Sequence, residues 1–350
     1  MKNHKSSLVF HELYNLNYFH ASFNASIIHE FMKYLHLSSK FCSSSEHYLE
    51  FSNLEKIILI DPSNNTISHQ TVNIGPKNFL GFSRYLSKLS KSDINIILTV
   101  DTIYFCLTLI ISVFFNLRLF VFAHSLPSIY EYNALHRKII YFIIKISFHL
   151  GSFLQRGNVI LIFQKESAVQ SMLWRDFSHK NVFKSSIIRL PLLNLKSQHK
   201  YKNRRFLFLG NIRKDKNFEE FCKLTYKHSI QNAVHVTSSI EHKFNNIHSL
   251  FTNDPINSSI SSKDVVFLDY NPLHYNYTQS ATLIDAISSG AWIYTNKTLF
   301  DSLDLTFSKK YYIQIELNNT VKFLFKVPKT LISQYDRRIR GEIFSCINSL

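Results

Sequence analysis

The sequence predicts an α/β protein of two domains, each built on a mostly parallel sheet. Three observations predict it. The chain has 350 residues, more than one hydrophobic core usually serves. Short apolar runs of strand length alternate along it with longer helical ones. The alternation stops at 195–204 (LKSQHKYKNR), a charged stretch without apolar periodicity, and then restarts.

In the first half, strands are expected at 7–11, 56–61 (KIILID), 94–100 (INIILTV), 118–123 (RLFVFA) and 158–163 (NVILIF). Helices are expected at 20–37, 78–91, 103–115, 131–150 and 165–174. A last element, 187–190 (IIRL), stops at Pro191. In the second half, 205–209, 233–237, 264–269 and 291–294 read as strands, and 217–227, 280–289 and 329–349 as helices. Gly290 is placed to end the helix before it. The domains are therefore expected at 1–195 and 205–328, with 329–350 a terminal helix that crosses back to the first.

Composition narrows the function classes. Hydrophobic residues make up 45% and charged residues 18%, which fits a packed globular protein and argues against disorder. Only 7 glycines occur, where average usage gives roughly 25, so those present should mark backbone needs. The formal net charge is +16, with 21 Lys/Arg against 11 Asp/Glu in residues 1–200. Such a surplus favours a polyanion: nucleic acid, an anionic membrane surface or phosphorylated small molecules. No basic tail and no nucleic-acid-binding motif occurs, so nucleic acid is not expected as a partner. Cys42, Cys106, Cys222 and Cys346 are far apart, which argues against zinc sites and a disulfide framework. The apolar run after the basic start breaks at His11-Glu12, too early for a signal peptide, so a cytoplasmic location is expected. The apolar stretches 103–115 and 139–150 fall short of the ~20 residues of a spanning helix. Both read as buried or surface-associating helices.

Two segments carry chemistry. In the first, strand 206–209 ends at Gly210 and a short cationic turn with Arg213 and Lys216 leads to a helix near Asn217, read as its N-cap. Turns at the carboxyl ends of parallel strands are where α/β sheets bind ligands. Two fixed cations near a helix N-terminus suit a pyrophosphate. In the second, strand 264–269 leads through a polar loop with Tyr277, Gln279 and Ser280 to a helix bearing Thr282 and Asp285. Small polar groups at that helix start leave backbone amides able to receive phosphate.

In this order, about seventy residues apart, GNIRKDKN and LIDAISSGAWIY resemble the C-terminal donor domain of group 1 (family 4) glycosyltransferases. That family shows a strand ending in glycine, then Arg and Lys, and later an acidic strand–loop–helix with an E-A-x-x-x-G motif. The resemblance covers about 206–295 and is architectural elsewhere. It implies a GT-B-like fold, two Rossmann-like domains with parallel sheets facing across a cleft. It also implies a nucleotide diphosphate sugar donor, a glycan or lipid-linked acceptor, and a part in bacterial surface polysaccharide assembly (O-antigen or capsule). Gly210, Arg213 and Lys216 would hold the donor diphosphate, Ser280 and Thr282 would cover it, and Asp285 would contact the ribose. No metal or other cofactor is expected, because cations and helix dipoles serve the diphosphate. Where the family often carries two glutamates eight positions apart, this sequence has Tyr277 and Asp285. A tyrosine cannot accept hydrogen bonds from sugar hydroxyls as a carboxylate does, so a divergent branch and a catalytically inactive scaffold are both open.

In the first half, His124 follows strand 118–123 and faces the cleft of such an architecture, where a near-neutral pKa suits proton handling. Asp101, after strand 94–100, is the other candidate base, and His11 and Glu12 could border the acceptor. Helix 131–150 mixes Arg137, Lys138 and Lys145 with many apolar residues. It is read as a core helix with one wet edge or as a docking element for anionic lipid, on the inner face of the cell membrane.

Overall fold

The computed structural model describes residues 7–13, 21–35, 38–57, 67–74, 78–99, 102–123, 135–154, 158–169, 183–192, 203–213, 216–237, 247–251, 260–271, 280–301, 303, 309–317 and 320–348. They form two sheets of seven strands with helices between. In the main, one compact unit runs to Arg189 and takes in the chain again from Ile339, and the other runs from Leu190 to Arg338.

The first unit comprises β1 (Leu8–His11), α1 (Ala21–Leu35), β2 (Ser39–Ser43), α2 (Ser45–Ile57), β3 (Ile67–Thr71), α3 (Phe79–Leu86) and β4 (Ile94–Ile97). It continues with α4 (Thr102–Phe115), β5 (Arg118–Phe122), α5 (Leu135–Leu154), β6 (Asn158–Phe163), α6 (Glu166–Val169) and β7 (Phe183–Ile187). All strand pairs are parallel, in the order β3-β2-β1-β4-β5-β6-β7. Inner strands β5 and β6 are apolar on both faces past their first residues, as helices on both sides require. Leu119, Val121, Val159 and Ile160 are fully buried. Phe10 meets Phe31 edge-on at 5.9 Å, fixing α1 against the sheet.

The second unit comprises β8 (Phe206–Leu209), α7 (Phe218–Lys227), β9 (Ala233–Thr237), β10 (His248–Phe251), β11 (Val265–Leu268), α8 (Ala281–Ser288) and β12 (Trp292–Asn296). Helix α9 (Lys297–Asp301), strands β13 (Tyr312–Leu317) and β14 (Thr320–Phe325), and α10 (Lys329–Asn348) follow. The order is β10-β9-β8-β11-β12-β14-β13, parallel through β12 and antiparallel beyond it. The phenylalanine bias becomes core here: Phe208 packs edge-on to Phe218 at 4.7 Å, and Phe221 and Phe267 join them. Arg205 and Asp264 tie the amino ends of β8 and β11 together through a buried ion pair, Nε to Oδ1 at 3.1 Å and Nη2 to Oδ2 at 2.6 Å.

Some expectations change. The strand expected at 56–61 does not begin there: Lys56 and Ile57 complete α2, and the remainder lies outside the described residues. A short apolar run does not by itself separate a strand from a helical turn. The helix is capped by Ser44, whose hydroxyl accepts from the His47 amide at 3.1 Å. The element expected at 187–190 is β7, ending at Ile187. Strands β2, β3, β10, β13 and β14 were not expected at all.

Candidate functional site

Both sheets reverse direction of growth at one place. In the first, the chain builds outward from β1 through β2 to β3, then returns to lay β4 on the other side of β1. In the second, β8, β9 and β10 go one way and β11 and β12 the other. The carboxyl ends of β1/β4 and of β8/β11 are therefore the crevices where such sheets receive ligands. Both chemistry-bearing segments of the second half leave from the β8/β11 crevice.

On the β8 side, Gly210 has φ +81°, a conformation glycine adopts without the Cβ clash that penalises other residues. Its amide continues the ladder to Val236 O at 2.8 Å. Its carbonyl lies 2.9 Å from His235 Nε2, and since a carbonyl only accepts, that nitrogen carries the proton. The chain then turns, with Lys216 N donating to Arg213 O at 3.0 Å. Arg213 is exposed, while Lys216 is buried. The Lys216 ammonium donates to the Leu209 carbonyl at 3.2 Å and lies 5.4 Å from the centroid of the Tyr270 ring. Tyr270 follows β11 directly, so this lysine bridges the crevice from one segment to the other.

Asn217 does not cap α7 as expected. It is left-handed at φ +50°, and its side chain makes no capping bond, a conformation asparagine tolerates better than most residues. Glu219 and Glu220 occupy the first turn instead. They answer the helix dipole themselves, so this N-terminus does not favour an anion. The two glutamates were visible in the sequence and argue against a phosphate there.

On the β11 side, Asp269 is buried and committed. It is paired with Lys322 Nζ at 2.5 Å and accepts from Asn296 Nδ2 at 3.2 Å. Thr295 Oγ1 donates to Leu268 O at 2.9 Å, lacing the ends of β11 and β12. Helix α8 carries no acidic residue in its first turn. Ser280 caps it, its hydroxyl accepting from Leu283 N at 3.3 Å. Ser280 is buried, and Thr282 and Asp285 are half-buried on the same short helix. Gly290, at φ +68°, ends it as expected, its amide donating to Ile287 O at 2.9 Å. The α8 start is thus the better anion-receiving end of the two. Tyr277 and Gln279 lie outside the described residues.

At the β1/β4 crevice, His11 is fully buried between two partners, Tyr85 OH and Asn95 Oδ1, each at 3.0 Å. Asn95 Nδ2 faces the Ser90 and Asp93 carbonyls, so its Oδ1 accepts from His11 Nε2 and the other ring nitrogen accepts from Tyr85. Burial lowers the His11 pKa to about 4. A neutral ring locked in this way is framework and does not border an acceptor. Glu12 is different: it is buried and accepts from Asn24 Nδ2 at 2.8 Å. That amide also lies 3.0 Å from His47 Nε2. Asn24 Oδ1 and Thr99 Oγ1 are buried beside these strand ends with no hydrogen-bond partner. Asp101 and His124, the expected proton handlers, lie outside the described residues. Among the described residues, no group of three His, Cys, Asp or Glu side chains is placed to hold a metal ion.

No protein-family model matches the chain, and no curated protein sequence matches it. Solved structures do. HepE from Anabaena, solved with UDP and glucose, superposes with a TM-score of 0.54 at 10% identity, over 97% of this chain and 94% of that one. The UDP-forming α,α-trehalose-phosphate synthase of Burkholderia xenovorans, with glucose-6-phosphate, gives 0.53 at 7% identity, over 85% and 87%. This is the GT-B fold. Within the GT-B frame, the crevice that holds Gly210, Lys216 and Tyr270 belongs to the C-terminal unit, and Glu12 sits at the corresponding switch point of the N-terminal one. At such identity the likeness fixes architecture only, since one fold hosts many chemistries.

Proposed function

We propose that the chain is a glycosyltransferase that takes a sugar from a nucleotide diphosphate donor held at the β8/β11 crevice. The reading rests chiefly on Lys216, whose buried ammonium spans that crevice next to exposed Arg213, on the side from which the acid-free start of α8 departs. The diphosphate would lie against these two cations and the α8 amides, with Ser280 and Thr282 over it and Asp285 toward the ribose. In the transfer, the bond from the sugar C1 to the diphosphate oxygen breaks and its electron pair stays on the leaving diphosphate. The acceptor oxygen bonds to C1 and gives up its proton. Cations fixed beforehand at the leaving group stabilise the charge as it grows. His124 and Asp101 are the proposed proton handlers.

UDP in the HepE structure and the UDP-forming reaction of the trehalose-phosphate synthase support a UDP-sugar as the first donor to try. The acceptor is a glycan or lipid-linked glycan, and the role is surface polysaccharide assembly on the cytoplasmic side. Four free thiols agree with a reducing compartment. Calorimetry with UDP-, GDP- and TDP-sugars tests the donor site. Wild-type protein should bind one of them, and Arg213→Ala and Lys216→Ala should each weaken that binding roughly tenfold or more. Unchanged affinity in both variants sinks the reading.

A further inference from the structure

Helix α5 presents its apolar stripe outward. Leu135, Ile139, Phe142, Ile146 and Phe153 fall within a ~60° arc at ~100° per residue, and all five are exposed, Leu135 at 73%, Phe142 at 61% and Phe153 at 85%. The opposite side, with Ile144, Ser147 and Gly151, is the buried one. Helix α4 lies alongside α5 and repeats the arrangement. Ile103 and Phe114 are exposed, with Leu107 and Ile110 half-exposed between them, while Tyr104, Phe105, Leu109 and Val113 point inward. Beside α4, α3 adds exposed Phe79 and Leu80 at its start, and Phe79 stacks on Tyr104 at 5.1 Å.

Scattered exposed hydrophobics are ordinary, but a contiguous apolar face across three helices marks an interaction surface. Charge selects the partner. Lys138, Lys145 and His149 are exposed along one flank of the α5 stripe, and α3, α4 and α5 contain no Asp or Glu at all. Among the described residues no helix is long and apolar enough to cross a membrane. A helix with an apolar face edged by cations lies in the plane of an anionic bilayer surface. A second copy seated stripe to stripe would bring one basic row against another, with no carboxylate on these helices to answer it.

We infer that the α3–α4–α5 face docks the protein in the interface of an anionic lipid bilayer, with α5 parallel to its plane. The apolar side chains enter the headgroup–acyl boundary and the lysines meet lipid phosphates. The inference rests on this face alone and holds whether or not the chain transfers sugar.

Flotation of the purified protein with phosphatidylcholine vesicles, with and without phosphatidylglycerol, tests it. Wild-type protein should float with the anionic vesicles and release as salt is raised. Phe142→Ser with Ile146→Ser should lower the partition coefficient on the order of tenfold or more. Lys138→Glu with Lys145→Glu should remove the preference for anionic lipid. These positions are exposed, and an unchanged circular dichroism spectrum will show that each variant folds. Failure of the wild-type protein to bind anionic vesicles overturns the inference, as do variants that bind as it does. Self-association abolished by Phe142→Ser/Ile146→Ser, without vesicle binding, would give the face to a second copy instead.

Discussion

Lys216 and Tyr270 belong to different segments, yet the lysine Nζ lies 5.4 Å from the tyrosine ring centroid while also donating to the end of β8. The contact joins the two loops that must cooperate if the crevice grips a diphosphate. Methionine keeps the packed length of the side chain and removes the desolvation cost of a buried ammonium, which offsets the lost bond to the Leu209 carbonyl. Lys216→Met should therefore leave the urea unfolding free energy within about 1 kcal/mol of wild type. Its donor affinity should fall roughly tenfold to a hundredfold, the worth of a charged hydrogen bond. Calorimetry and urea titration on the same preparation separate the two effects.

The Arg205–Asp264 pair is framework. Asp264 accepts from the Arg205 side chain and from the Ser261 amide at 2.8 Å, all in a buried setting. Asp264→Ala leaves the guanidinium without its counter-charge and should cost about 3–5 kcal/mol. Arg205→Met combined with Asp264→Leu should recover much of that, since it removes both charges together. Urea unfolding of the three proteins checks the order.

His11 makes stability depend on pH. Its folded pKa of about 4 lies below the ordinary 6.5, so the unfolded chain binds the proton more readily between those values. Stability is therefore fully present above pH 6.5 and falls as pH drops toward 4, by about 2 kcal/mol between pH 7.5 and 5 from this residue. His29, also lowered by burial to about 4, adds in the same direction. His11→Gln should be less stable at neutral pH but show a shallower decline of the urea midpoint on acidification.

Gly290 should resist substitution for conformational reasons. A Cβ there would meet only Ser262 Cβ, at 3.8 Å, so space is not limiting. The cost comes from φ +68°, about 1–2 kcal/mol for a residue with a side chain. Gly290→Ala should lower the urea midpoint accordingly, and Gly290→Asn should lower it less.

The sequence showed the inner strands well and the outer ones poorly. Strands β5 and β6 fall where their apolar runs place them, because a strand buried on both faces has no polar alternation to confuse it. Outer strands β3 (ISHQT) and β10 (HSLF) carry polar side chains and leave no apolar run to read. β13 (YIQIEL) alternates with period two from Ile313, but it lies antiparallel at the edge of the sheet, outside the strand–helix alternation that marks the parallel strands. At the site, Gly210, the Ser280 cap and Gly290 were legible because backbone conformation and capping select residue types locally. Lys216 was recognised as a cation, but its burial under Tyr270 depends on the neighbouring strand. Helix α5 was legible as an apolar helix carrying basic residues, yet a helical period names a face without saying which way it points. With Ile144, Ser147 and Gly151 closing the inner side, the larger apolar stripe was left for the outside.

The strand order also bears on how the chain is made. Each central strand is synthesised early and stands bare along one edge until its second neighbour emerges: 84 residues separate His11 from Asn95, and 59 separate Arg205 from Asp264. At ordinary elongation rates, each wait lasts on the order of 10 s. During it, an apolar ribbon with unsatisfied amides is open to any other nascent ribbon nearby. Yield in a heterologous host should then be governed less by the finished molecule than by what shields those two edges on the ribosome.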